Sequence, residues 1–108
     1  MNIVASLDRS RYLDNYLNMK IQMVFEAIAD PNRRKILDLL KEGELSVGEL
    51  KQHFDISGAS LSHHLNKLKA ADLVITKRQG QSIIYSIHTS VFEDLTKEMA
   101  GFLNLKGD

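Results

Sequence analysis

No cysteine and no tryptophan occur in these 108 residues, and there is a single proline. Without cysteine there is no disulfide framework, no thiolate metal site and no thiol redox switch, which suits the cytoplasm. No apolar run approaches the ~18 residues of a membrane span, and the opening MNIVASLDRS has no signal-peptide hydrophobic core. A soluble, cytoplasmic protein with no membrane segment is expected. There is no excess of charge either: 14 basic and 14 acidic residues cancel. Nor is there a repeat, a low-complexity tract or a Pro/Gly/Ser linker, so the 44% apolar content suits one globular domain.

The neutral total hides an uneven distribution. Residues 57–82 carry Lys67, Lys69, Lys77 and Arg78 against Asp72 alone, a local balance of +3, whereas residues 21–56 and 89–108 are each −2. Positive charge gathers in one region, the footprint that nucleic-acid binding leaves in a sequence. Four basic residues are also ordinary on a solvated surface, so their position beside a particular helix carries the argument.

That helix begins after Ser57. Leu61, Leu65 and Leu68 recur at i, i+4 and i+7 and form a seam that holds the helix to its own domain. At about 100° per residue, Ala59, His63, Asn66 and Ala70 fall nearly opposite the seam, flanked by Ser60, Ser62 and Lys67. Short polar side chains near a helix N-terminus let backbone donors approach phosphates and base edges. Ser57 is placed to cap the helix through the N–H of Ser60, a structural role that competes with DNA contact.

Around this helix the other elements fall into order. Asp30-Pro31 marks a helix start, N-cap then N1, with Ile36, Leu37, Leu39 and Leu40 as its buried face and Gly43 as its stop. Met23, Phe25, Ile28 and Ala29 predict a shorter helix before it. Ser46 opens another, with Val47, Leu50 and Phe54 at helical spacing and Glu49 as capping-box partner. A tight turn over Asp55 to Gly58 joins it to the Ser57 helix, which makes a helix-turn-helix. After Ala71 the period changes to two: Leu73-Val74-Ile75-Thr76 and Ser82-Ile83-Ile84-Tyr85-Ser86-Ile87 predict a β-hairpin about Gln79-Gly80, a wing whose tip offers Lys77, Arg78, Gln79 and Gln81. The fold class expected is mainly α with a small β-hairpin, a winged helix-turn-helix.

Two apolar stripes lie at the chain ends. Phe92, Leu95, Met99 and Phe102 predict a final amphipathic helix capped by Thr89 or Ser90. Tyr12, Leu13, Tyr16 and Leu17 form the other, on residues 1–20, read as an N-terminal extension to a domain of residues 21–108. A small domain has limited interior, so the stripes predict a homodimer made through the terminal helices, with intramolecular packing as the competing reading. A start at Met19 or Met23 is also compatible with the sequence.

With these residues in place, the chain resembles the ArsR/SmtB family of bacterial winged-helix repressors over roughly residues 22–104. The likeness rests on Phe25 through Leu37, on Ser57, Ser60, Ser62, His64, Leu65 and Leu68, and on Arg78, Gly80 and Tyr85. Thr89-Ser90-Val91 and Gly101-Phe102-Leu103-Asn104 look most like its SdpR-type autorepressor branch. The resemblance implies a dimeric repressor on double-stranded operator DNA, possible autorepression, and release by an unidentified protein or small-molecule inducer.

The departures matter as well. Many members of the family sense metals through cysteines where this chain has Ser46 and Gly48, neither of which supplies a soft thiolate. Others use carboxylates and histidine on the last helix, but there is no histidine between Ser90 and Leu105. No metal and no cofactor are expected. Adjacent His63 and His64 point about 100° apart and cannot chelate one ion; His64 lies beside the leucine seam as a structural hydrogen-bonding residue, and His63 faces outward. An enzyme would need a nucleophile, base and orienting group, and no such set is found. The rival function is a winged-helix protein-interaction adaptor, since a fold alone does not fix function.

Overall fold

A computed structural model describes residues 3–102, with side chains from Arg11 onward apart from those of Met99 and Phe102. In place of a short helix at 23–29 and a separate stripe at 10–18, one helix, α1 (Ile3–Ile28), runs through both. The reason is plain in the composition: no proline or glycine lies between residues 3 and 28, so nothing ends a helix once begun.

Helix α2 (Pro31–Lys41) starts as its cap predicts. Asp30 is extended, and its carboxylate accepts the backbone N–H of Asn32 at 2.8 Å and of Arg33 at 3.2 Å. Gly43, at φ 147°, turns the chain away after the helix in a conformation that side chains avoid. Next come β1 (Leu45–Ser46) and α3 (Val47–Lys51). The capping box is complete: Ser46 Oγ accepts the Glu49 N–H at 3.1 Å, and the Glu49 carboxylate accepts the Ser46 N–H at 2.9 Å. Helix α3 ends before Phe54, which the sequence pattern had placed on its face; Phe54 is nevertheless buried, carried inward by the following turn.

Helix α4 (Gly58–Ala70) has Ser57 as its N-cap. It ends at Ala71, and Asp72 takes a left-handed φ of 59° that redirects the chain into β2 (Val74–Gln79). Strand β3 (Ser82–Ile87) returns after a two-residue tip in which Gly80 supplies the positive φ of 64° that tight hairpins require. The last element is α5 (Thr89–Phe102).

The sheet has the order β1-β3-β2, all antiparallel. Its third strand was not expected, because two residues carry no period of their own and become a strand only by pairing Leu45 with Tyr85 and Ser46 with Ile84. Alternation then sorts the sheet. Val74, Thr76, Ile83, Tyr85 and Ile87 face the helices, while Ile75, Lys77 and Ile84 face away. Between sheet and helices lie six essentially inaccessible side chains, Ile36, Leu50, Leu61, Leu65, Leu68 and Leu73. Burying each contributes roughly 1.5–3 kcal/mol, so the seam of α4 is anchored in the best-packed part of the molecule.

Candidate nucleic-acid interface

The anchoring of α4 decides which of its residues remain available. With Leu61, Leu65 and Leu68 turned inward, Ala59, Ser62, His63, Asn66 and Lys67 are exposed and Ser60 is half-buried. Ser57 is exposed too, but its Oγ accepts the Ser60 N–H at 3.0 Å, so the capping role is met and only the hydroxyl proton is left to donate. The exposed face is short-chained, and one helical surface can therefore enter a groove without steric obstruction.

At the wing, Arg78, Gln79 and Gln81 are exposed around Gly80. Lys77 differs from its neighbour. Lys77 and Ser46 both stand opposite Ile84, on the outward side of the sheet, and the Lys77 ammonium lies 3.1 Å from the Glu44 carboxylate. Arg78 falls on the other side of the strand, the side that packs on the helices. Two consecutive basic residues thus present their charges in opposite directions, one of them already paired.

The histidines separate cleanly. His64 is 8% exposed, and its Nδ1 lies 3.2 Å from Nη1 of Arg33. A guanidinium can only donate, so this nitrogen accepts and the ring carries its proton on Nε2. Arg33 also donates from Nε to the Ala27 carbonyl at 2.7 Å and from Nη2 to the Glu26 carbonyl at 3.0 Å. His88 Nδ1 lies 3.0 Å from the Asp72 carbonyl and must donate to it, which ties the end of the wing to the left-handed junction after α4. The His53 carbonyl accepts from Lys35 at 2.6 Å, with the same ammonium over the Phe54 ring. Of the two histidines on α4, only His63 faces solvent. Among the described residues no three His, Cys, Asp or Glu side chains come together as metal ligands.

Three groups titrate away from their ordinary values. Burial raises the Asp30 carboxyl, but the backbone N–H groups of Arg33 and Asn32 and the nearby Arg33 guanidinium outweigh it, so the net shift is downward. Glu49 is held down by its hydrogen bonds to Ser46. Burial pushes the Tyr85 phenol up.

Of the residues expected at a subunit interface, Tyr12, Leu13, Tyr16 and Leu17 are 76%, 55%, 43% and 46% exposed, an apolar stripe that the described residues leave only partly covered. Phe92 and Leu95 pack partly on the core of their own chain, so intramolecular packing accounts for some of their burial. Met99 and Phe102 lie outside the described side chains. A groove of about 380 Å³ runs between α1 and α5, floored by Leu17, Ile21, Val24 and Leu95, with a Lys20–Asp72 ion pair at its edge. No described helix is long and apolar enough to cross a membrane.

Comparison with known proteins matches residues 30–76 to the model described as "Bacterial regulatory protein, arsR family". The chain is 53% identical over 85 residues to the transcriptional repressor SdpR of Bacillus subtilis, covering 79% of this chain and 93% of the relative. Among solved structures, an ArsR family transcriptional regulator superposes with a TM-score of 0.73 at 29% identity, over 80% of this chain and 94% of that one. NolR from Sinorhizobium fredii superposes with a TM-score of 0.65 at 31% identity, over 82% and 89%.

Proposed function

The chain belongs to the arsR family of bacterial regulatory proteins and is a DNA-binding transcriptional repressor; from that premise we propose how it reads its operator. It acts in the cytoplasm as a homodimer on an imperfect inverted repeat. One α4 per subunit enters each of two successive major grooves, with half-sites about 10 bp or about 34 Å apart, and each wing lies along the flanking backbone or minor groove. Ser60, Ser62, His63 and Asn66 face base edges; Ser57, Lys67, Arg78, Gln79 and Gln81 hold phosphates. Lys77 joins them on release from Glu44.

The observation that carries this reading is the exposure of a short polar face on α4 opposite three leucines that are at most 1% exposed. A helix anchored in this way keeps its outer face turned to solvent, where base reading requires it. The stripe of Tyr12, Leu13, Tyr16 and Leu17 supports pairing of two chains, since exposed apolar patches of this kind mark interaction surfaces. Repression follows where the operator overlaps a promoter, its own included. Release requires a ligand or partner that prefers a dimer with mismatched half-site spacing.

The test is binding to duplexes from the region upstream of the protein's own gene, titrated at several salt concentrations. Specific binding should exceed binding to unrelated duplex by at least ~10³-fold. Equal affinity for both would favour an adaptor that uses the same surface for protein contacts.

A further inference from the structure

Among the described residues Arg33 is the side chain that bridges most elements through hydrogen bonds, and DNA contact leaves it unexplained. It sits in the first turn of α2, and its guanidinium takes up two carbonyls from the last turn of α1, Ala27 and Glu26, and one nitrogen of His64 on α4. The last carbonyls of a helix have no partners within it. Here Arg33 donates to two of them, beside the Ala29 N–H on Glu26 and Arg34 on Ile28, and spends its third direction on α4.

Four properties make this more than a stabilising contact. The fork is planar and rigid, so the three acceptors must hold a fixed mutual geometry, which a flexible ammonium would not impose. His64 is buried, so its ring is not available to a base edge. It nevertheless follows directly after exposed His63 and precedes exposed Asn66 by two residues, so a rotation of α4 about its axis that moves His64 also moves the reading face. The leucine seam alone tolerates such a rotation better than a hydrogen bond does, because apolar contacts are not directional.

We propose that Arg33 and His64 are positioning residues for DNA reading: their contact fixes the rotation of α4 relative to the end of α1, and so sets the pose in which Ser62, His63 and Asn66 meet base edges. The inference rests on α4 being the reading helix. It predicts a loss of discrimination, not of general attraction to DNA, because charge at the wing and at Lys67 is untouched.

The experiment measures affinity for operator and for unrelated duplex in the wild type, His64→Leu, His64→Gln, Arg33→Lys and the Arg33→Lys/His64→Leu double variant, with thermal midpoints recorded for each. Leucine continues the apolar seam but cannot accept a hydrogen bond; glutamine can. The ratio of operator to unrelated binding should fall about tenfold or more in His64→Leu, the scale of a lost hydrogen bond to a charged donor, while unrelated binding stays within about twofold. Glutamine should restore most of the ratio. Arg33→Lys should resemble His64→Leu, and the double variant should be no worse than either single, as for two halves of one contact.

A His64→Leu protein that keeps the wild-type ratio overturns the proposal. So does one in which both bindings fall together without rescue by glutamine, which is the signature of general damage. Singles whose losses multiply in the double variant also overturn it. A wild-type protein that does not discriminate between duplexes would instead defeat the reading of α4 itself.

Discussion

Glu44 and Lys77 meet at 3.1 Å across the outer face of the sheet, and this pair gives one of the two wing cations a carboxylate partner. Both side chains are at least half exposed, so the pair contributes little to stability. Its consequence lies in binding. Glu44→Gln should tighten binding to any duplex and steepen the dependence of log affinity on log salt, by about 0.9 for one additional phosphate contact. In a Lys77→Gln background the same change should do almost nothing. Equilibrium titrations from low to high salt decide the matter; an equal gain in both backgrounds would mean that Glu44 acts by general repulsion of DNA.

Among the described residues Arg78 has no such partner, and it lies on the side of the wing that packs on the helices. Arg78→Ala should therefore weaken binding to operator and unrelated duplex alike and flatten the salt slope by about 0.9. Lys77→Ala should do less, being already paired. Substitutions at Ser60 or His63 should behave otherwise and change which sequences are preferred, at about 1–3 kcal/mol per base contact. An unchanged salt slope in Arg78→Ala would remove the wing from the interface.

Asp30 links this architecture to pH. Its carboxyl titrates below the ordinary value in the folded chain, so it contributes stability that is fully present above the unfolded-state value and is lost as pH falls through the lower folded one. Asparagine still caps a helix but carries no charge. Asp30→Asn should thus be less stable than wild type near neutrality and converge with it as pH falls below the lowered folded-state value. Denaturant unfolding followed across that range checks this; a gap that stays constant would show that the charge is immaterial.

Much of this was legible in sequence because it is local. The caps at Asp30, Ser46 and Ser57 are each complete within three residues, and the leucine seam of α4 and the period-two strands declare themselves by spacing. What escaped depends on distant partners. Strand β1 exists through its pairing with β3, and the Glu44–Lys77 contact follows from that register. The place of His64 beside the leucine seam marks it as structural, but its partner Arg33 lies 31 residues away, and no spacing rule joins them. The continuity of α1 does not show in its separate apolar stripes; the absence of any breaker between residues 3 and 28 is the better signal. The exposed face of α4 was visible throughout, since burial of the seam dictates it.

The stripe on α1 gives a separate expectation. Leu17 is 46% exposed and lines the groove toward α5, so an aspartate there costs the isolated subunit little. In a subunit interface it would bury an unpaired carboxylate. Leu17→Asp should sediment as a monomer with its helical circular dichroism intact. A variant that remains a tight dimer would place the interface elsewhere.

The most direct test of the central claim is selection of bound duplexes from a random pool by the purified protein, with the mass of the selected complex measured alongside. The account predicts an imperfect inverted repeat with half-sites about one helical turn apart, bound by two chains. A pool that shows no enriched sequence, or a complex holding a single chain on a site without twofold symmetry, would contradict it.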